Sequence, residues 1–211
     1  FTGHRPGKLP WGEDESDLRC IALKAKLRAA VESAIHEGME HFICGMAEGC
    51  DLYFAETVLA LKSTYPHITL EAAIPCPSQA DGWGEAQKSR YRDILARCDY
   101  ETMVQQSYTP GCMQRRNRYM VDHASLLIAV NDGARGGTRS TIEYAFKRGV
   151  NVLDISQTIM EGYFTMMMVV DLAECRAPFD TLRASLKEYG ESRGLSIRIQ
   201  RQDIFTAMHT I

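Results

Sequence analysis

No apolar run in this chain reaches the length of a membrane-spanning helix, which leaves no membrane partner to expect. A basic excess is missing too. Lysine and arginine number 24 against 27 aspartate and glutamate, for a formal net charge of −3. A general nucleic-acid surface needs the opposite balance, although a local basic pocket for one small anion is compatible with it. The seven cysteines (Cys20, Cys44, Cys50, Cys76, Cys98, Cys112 and Cys175) form no CxxC pair and keep no zinc spacing with histidine. No metal site is visible, and no cofactor is expected. Several thiols lie in apolar runs such as Phe42-Ile43-Cys44, where a free cysteine acts as a small buried hydrophobe, and this usage points to a reduced, cytoplasmic setting. The chain does not open on methionine. It opens on an apolar-to-glycine step, Phe1-Thr2-Gly3-His4-Arg5, which is unlike a signal peptide. A few residues of a first strand are expected before Phe1.

What is present is an ordinary globular composition, 45% hydrophobic and 24% charged over 211 residues. That length suits one large domain, or a domain of about 150 residues with a smaller partner. Up to Val150, short apolar runs alternate with helical periodicity. Leu18, Ile21, Leu27, Val31, Ala34 and Ile35 predict an amphipathic helix ending at Gly38. His41–Cys44 reads as a buried strand stopping at Gly45. A helix opens at Leu52, a strand covers Ile68–Ile74, and a helix spans about Gly84 to Arg97. A short strand near Glu101–Val104, a helix from Met113 to Asp122, the strand Leu126–Val130 and the helix Thr138–Lys147 follow. Such alternation predicts a Rossmann-like, mostly parallel α/β sheet with helices on both faces, and ligands in such sheets sit beyond the carboxyl ends of the strands.

After Val150 the pattern changes. Asn151–Ile155 and Tyr163–Leu172 read as strands, and Phe179, Leu182, Leu186 and Tyr189 mark a helix. Leu195, Ile197 and Ile199 then alternate as in a half-buried strand. This β–β–α–β order has antiparallel α+β character and sets a boundary near residue 150.

Three glycine-bearing turns fall at strand ends. Gly45-Met46-Ala47-Glu48-Gly49-Cys50-Asp51 lets backbone approach an anion where a helix begins. Asp51 suits the helix N-cap, and Glu48 could accept from ribose hydroxyls or act as a general base. A plain strand–turn–helix would use the same glycines. Asp132-Gly133-Ala134-Arg135-Gly136-Gly137-Thr138 carries three glycines in five residues, more than a tight turn needs. Gly136 and Gly137 can present N–H groups to a phosphate, with Thr138 adding a hydroxyl and capping the helix. The cluster is neither a P-loop nor a GxGxxG fingerprint, so NAD-dependent hydride transfer is not supported. In Thr2-Gly3-His4-Arg5-Pro6, Arg5 could clamp a phosphate and His4 could bond a ligand or move a proton; a polar surface turn is the alternative. On the helix Met113–Asp122 the basic run is read as a solvated face, with Arg116 and Asn117 the candidates for pointing inward. Trp83 could stack on a base, or serve as an ordinary packing aromatic.

As an ordered set, Thr2–Pro6, Gly45–Asp51, Arg116-Asn117 with Met120–Asp122, and Gly136–Thr138 through Glu143-Tyr144-Ala145 resemble the SLOG superfamily. That superfamily includes the Lonely Guy phosphoribohydrolases and DprA, and the nearest resemblance is to its YpsA-like branch. It covers residues 1–150 and implies binding of nucleotides or their derivatives, such as ADP-ribose or NAD. The phosphoribohydrolases place a glutamate three residues after the threonine of their glycine motif. Here that position is Thr141, and Glu143 stands two residues further on. Residues 151–211 resemble the later part of a small ACT domain, on Asn151–Thr158, Tyr163–Met167 and Ile204–Met208. This resemblance implies amino-acid binding and pairing through sheets. Its missing first strand and helix could be supplied by the strand and helix within 126–148, in which case Tyr163–Leu172 would extend the first sheet.

Two functions from different classes are therefore expected. One is binding or sensing of a nucleotide-like small molecule through Gly3, His4, Arg5, Gly45, Glu48, Gly49, Asp51, Arg116, Asn117, Gly136, Gly137 and Thr138. An ACT-type half would regulate or pair the chain into a homo-oligomer and take an amino acid. The other is nucleoside-monophosphate phosphoribohydrolase activity, with Glu48 or Glu143 at the oxocarbenium-like centre. Whether the chain is an enzyme is left open.

Overall fold

A parallel sheet is assembled around the short segment Phe1–Thr2. The structure, a computed structural model, describes residues 1–155, 158–160, 163–165, 177–193, 197 and 199. Helix α1 (Leu18–His36) is started by the Asp17 side chain, which accepts from the Arg19 N–H at 2.7 Å. It ends where Gly38, at φ +90, turns the chain and Met39 N–H bonds Ala34 O. Its buried stripe runs Cys20, Leu23, Leu27, Ala30, Val31 and Ala34. Leu18 and Ile21, expected in that stripe, are exposed by 81% and 52%, because the helix faces the sheet about half a turn away from them.

Strands β1 (His41–Cys44), β2 (Thr69–Ile74) and β3 (Tyr100–Met103) form one parallel sheet in the order β1-β2-β3. β4 (Leu126–Ala129) and β5 (Asn151–Asp154) form a second parallel pair. Phe1–Thr2 lies between the two. The Phe1 nitrogen donates to Ile43 O at 2.9 Å, Thr2 N–H to Ile128 O at 3.1 Å, and Val130 N–H to Thr2 O at 2.9 Å. The strand succession is thus β3-β2-β1, Phe1–Thr2, β4, β5.

Side chains alternate across this sheet as the two-residue period of a strand requires. Phe42, Cys44, Leu70, Ala72, Ile74, Ile128 and Val130 face α1, α2 (Cys50–Leu61) and Ile94 of α3 (Glu85–Leu95). Ile43, Ala73, Leu127 and Ala129 face Met120 and Val121 of α4 (Cys112–Asp122), and Ile142 and Ala145 of α5 (Gly137–Lys147). Helices on both faces of a parallel sheet define the α/β class.

Beyond β5, a short antiparallel hairpin joins β6 (Thr158–Met160) to β7 (Tyr163–Thr165). β7 is the described part of the segment expected to extend the first sheet, and it pairs with β6. The chain divides into compact units Phe1–Thr165 and Met166–Ile211. In the second unit α6 (Phe179–Glu191) falls where Phe179, Leu182, Leu186 and Tyr189 placed a helix. The rest of the expected strand 163–172, the pattern 195–199 as a strand and the segment Ile204–Met208 lie outside the described residues. Among those described, no helix is long and apolar enough to cross a membrane.

Candidate ligand-binding site

From Phe1–Thr2 the chain proceeds through β1, β2 and β3 on one side of the sheet, then crosses to β4 on the other. The place where the order reverses lies between His4 and the loop after β4. Open α/β sheets bind ligands at such a switch point, beyond the carboxyl ends of the strands.

The loop after β4 is tied to the first segment three times, by groups far apart in sequence. The Thr138 hydroxyl donates to Gly3 O at 3.2 Å. His4 Nε2 accepts from the Asp132 N–H at 3.0 Å and lies 2.9 Å from Asp132 Oδ1. Lys8 Nζ donates to Arg135 O at 3.1 Å and stands where a side chain on Gly136 would have to go. Thr138 does not cap α5 as expected. The N-cap is Gly136, and the threonine hydroxyl, one residue inside the helix, is drawn instead to the carbonyl of the neighbouring strand end. Among the described residues the N–H groups of Gly136, Gly137 and Thr138 take no partner. They are the orphan donors of a helix start, carrying its positive partial charge. Asp132 sits at the rim. Burial alone would raise its carboxyl, but the Ala134 N–H and the His4 ring outweigh that and hold it below its ordinary value.

The first turn is built differently, because three of its donors are bonded within the protein. Met46 N–H bonds Cys44 Sγ, Ala47 N–H bonds Asp51 Oδ2 at 3.1 Å, and Cys50 N–H bonds His4 O at 3.1 Å. Asp51, expected at the N-cap, lies inside the first turn of α2. Gly49, at φ +83, is the N-cap, and the Asp51 carboxylate reaches back to Ala47. Arg116 is 4% exposed and donates from Nη1 to Gly45 O and from Nε to Asn117 Oδ1. A Cβ on Gly45 would strike that guanidinium and lie 2.8 Å from Asp51 Oδ2. Burial pushes the Asp51 carboxyl up, with Arg116 the largest opposing influence, and the same burial draws the Arg116 guanidinium down. Each side chain braces the turn separately, Arg116 at Gly45 O and Asp51 at the Ala47 N–H. Burial also pushes the Cys50 thiol up to about 12, so it is a core thiol.

The remaining candidates divide between two places. Glu48 is half-buried near exposed Arg5; burial raises its carboxyl, Arg5 opposes and Glu13 adds to the rise. Asn117, Gly137 and Glu143 line a cleft of about 160 Å3 between α4 and α5, together with Arg118, Thr141 and Tyr144. Asn117 Nδ2 donates to Thr141 Oγ1 at 2.8 Å, and the Thr141 hydroxyl donates to Gly137 O at 2.8 Å. Glu143 is paired with Arg139 at 3.0 Å. Trp83 packs edge-on against Tyr91, with ring centroids 5.4 Å apart. Sequence reasoning missed Lys8. Its signal was its place three residues after Arg5, on the 3-10 turn Pro6–Lys8 that carries it over the second glycine loop. Among the described residues no cluster of histidine, cysteine and carboxylate could hold a metal ion.

Fold and site together define a Rossmann-like α/β protein with glycine turns at its strand ends. The model of the YspA SLOG family matches residues 1–157, and the chain belongs to that family. It is similar to the uncharacterised SPbeta prophage-derived protein YoqJ of Bacillus subtilis, 35% identical over 60% of this chain and 82% of that one. A UPF0398 protein of Bacillus pumilus is 29% identical over 84% of this chain and 92% of its own. A UPF0237 protein of Bifidobacterium longum is 41% identical over 87 residues, 41% of this chain and 97% of that one. Residues 158–211 are too few to hold an 87-residue match, so it overlaps the region that the SLOG model covers.

Proposed function

We propose that the chain binds a nucleotide-derived small ligand of the ADP-ribose, NAD or nucleoside-phosphate class, as a sensor or binding module of the cytoplasm. The observation that carries this reading is the set of unpartnered N–H groups at Gly136, Gly137 and Thr138, at the switch point of the sheet and beside Lys8. A phosphate oxygen is the group such donors suit best. Lys8 would exchange the Arg135 carbonyl for the phosphate, Arg5 would add counter-charge, and Glu48 would accept from a ribose hydroxyl. Gly45, Gly49, Asp51 and Arg116 support the first turn, and Gly3 and His4 hold the second.

The segment 151–211 is proposed as an ACT-like half that regulates the chain or pairs it into a homo-oligomer, with an amino acid as its own ligand.

Hydrolysis of nucleoside monophosphates is the second reading. Glu48 favours it, since a carboxyl raised by burial suits a general acid. Thr141 weighs against it: its hydroxyl is engaged on both sides where the phosphoribohydrolases carry a glutamate. Thermal shift with ADP-ribose, NAD and AMP separates the readings. A ligand at a hundred times its Kd adds about 2.7 kcal/mol of stability. A shift without release of free base from AMP supports binding, release supports the enzyme, and no shift with any nucleotide overturns both.

A further inference from the structure

A second cleft of about 160 Å3 opens at α3, lined by Ala80, Asp81, Lys88, Tyr91 and Arg92. None of these residues belongs to the site above, and the chain beside the cleft touches the first glycine turn. Gln79, the residue before Ala80, is 8% exposed and donates from Nε2 to Met46 O at 2.7 Å, which ties this region to the first glycine turn. The Gln79 Oε1 is buried with no hydrogen-bond partner.

The lining has a definite chemistry. Tyr91 supplies an aromatic ring, backed edge-on by Trp83 at an interplanar angle of 82°. Lys88 is engaged with Glu85 at 3.1 Å. The side chains of Asp81 and Arg92 take no hydrogen bond or ion pair among the described residues. An unpaired carboxylate and an unpaired guanidinium beside an aromatic ring offer one acceptor, one planar set of donors and one stacking surface. A flat heterocycle with an amino group and ring acceptors matches all three, whereas a phosphate would be repelled by Asp81.

We infer that this cleft receives the nucleobase of the ligand, its ring against Tyr91, an exocyclic amino group donating to Asp81 and a ring nitrogen or oxygen accepting from Arg92. The inference rests on the nucleotide reading of the strand-end site. It turns that reading from phosphate recognition alone into recognition of a whole nucleotide, and gives Trp83 the task of backing the stacking ring.

Titration calorimetry of the full chain with AMP, ribose 5-phosphate and pyrophosphate tests it, using wild type, Asp81→Ala and Arg92→Ala. Both side chains lie outside the core, and circular dichroism checks that each variant is folded. AMP is expected to bind wild type at least about tenfold more tightly than ribose 5-phosphate, and each variant to lose about tenfold for AMP alone. If ribose 5-phosphate binds as well as AMP, or both variants keep the full margin, the base site is overturned and the phosphate reading stands. Loss of pyrophosphate binding in Arg92→Ala would make the cleft an anion site and also overturn it. If none of the three probes binds wild type, the nucleotide reading fails and this inference fails with it.

Discussion

His4 Nε2 sits 3.0 Å from the Asp132 N–H and 2.9 Å from its carboxylate, joining residues 128 apart in the chain. The ring is 6% exposed and fixes where the second glycine loop begins. Replacing it with alanine removes a buried ring that contacts the start of the loop and the volume that holds it. His4→Ala is expected to cost about 1–3 kcal/mol in urea denaturation and to speed hydrogen exchange at residues 132–136. A loss of only a few tenths, with unchanged exchange, would show that the contact does not anchor the loop.

The same pair sets a pH dependence. Asp132 is held below its ordinary value of 3.8, so its contribution is fully present above that value and is lost as pH falls through its lower native value. Carbon-detected NMR titration is expected to place its midpoint below that of an unperturbed aspartate, and His4→Ala to move it upward. An unchanged midpoint in the variant would remove His4 from the account.

Arg116 is expected to be structural first. Truncating it leaves Gly45 O without its buried donor and Asp51 without its largest opposing charge, and leaving a buried polar group unpaired costs about 1–3 kcal/mol. The sign with pH is the reverse of Asp132. Asp51 is raised, so the native state takes up a proton more readily than the unfolded chain, and Arg116→Ala should lose less stability as the solution is acidified. Asp51→Asn with Arg116→Met should recover part of the loss. A stability deficit independent of pH would remove Asp51 from the account.

Two glycines should separate folding from binding. Gly49 holds φ +83, and a Cβ there would lie 2.8 Å from His4 O, so Gly49→Ala is expected to cost about 1–3 kcal/mol. Gly137 is helical, with nothing within 4 Å of its would-be Cβ. Gly137→Ala should leave stability unchanged or raise it by up to about 1 kcal/mol, while a methyl group beside the orphan N–H donors weakens ADP-ribose binding. Equal binding by Gly137→Ala and wild type would place the phosphate elsewhere.

Hydrophobic period and glycine placement made α1 to α5, β1 to β5 and α6 legible in the sequence, because each has a local cause. Apolar residues recur at helical or strand spacing, Gly38 ends a helix at positive φ, and Gly45 and Gly136 mark turns where other side chains need the room. The two glycine turns were legible for the same reason. Which side chains and carbonyls each turn is tied to was not. Asp51 and Thr138 both look like caps in sequence, yet each sits one residue inside its helix and bonds a partner that folding supplies. Arg116 reads as one more charge on a solvated face until α4 packs on the sheet and buries it over Gly45. The sequence by itself determined the α/β class and the strand-end position of the turns, since periodicity and turn chemistry act over a few residues. Only the tertiary structure decided that Lys8, His4 and Thr138 meet around one loop, because contacts 127 to 135 residues apart follow from strand order, which no local pattern encodes.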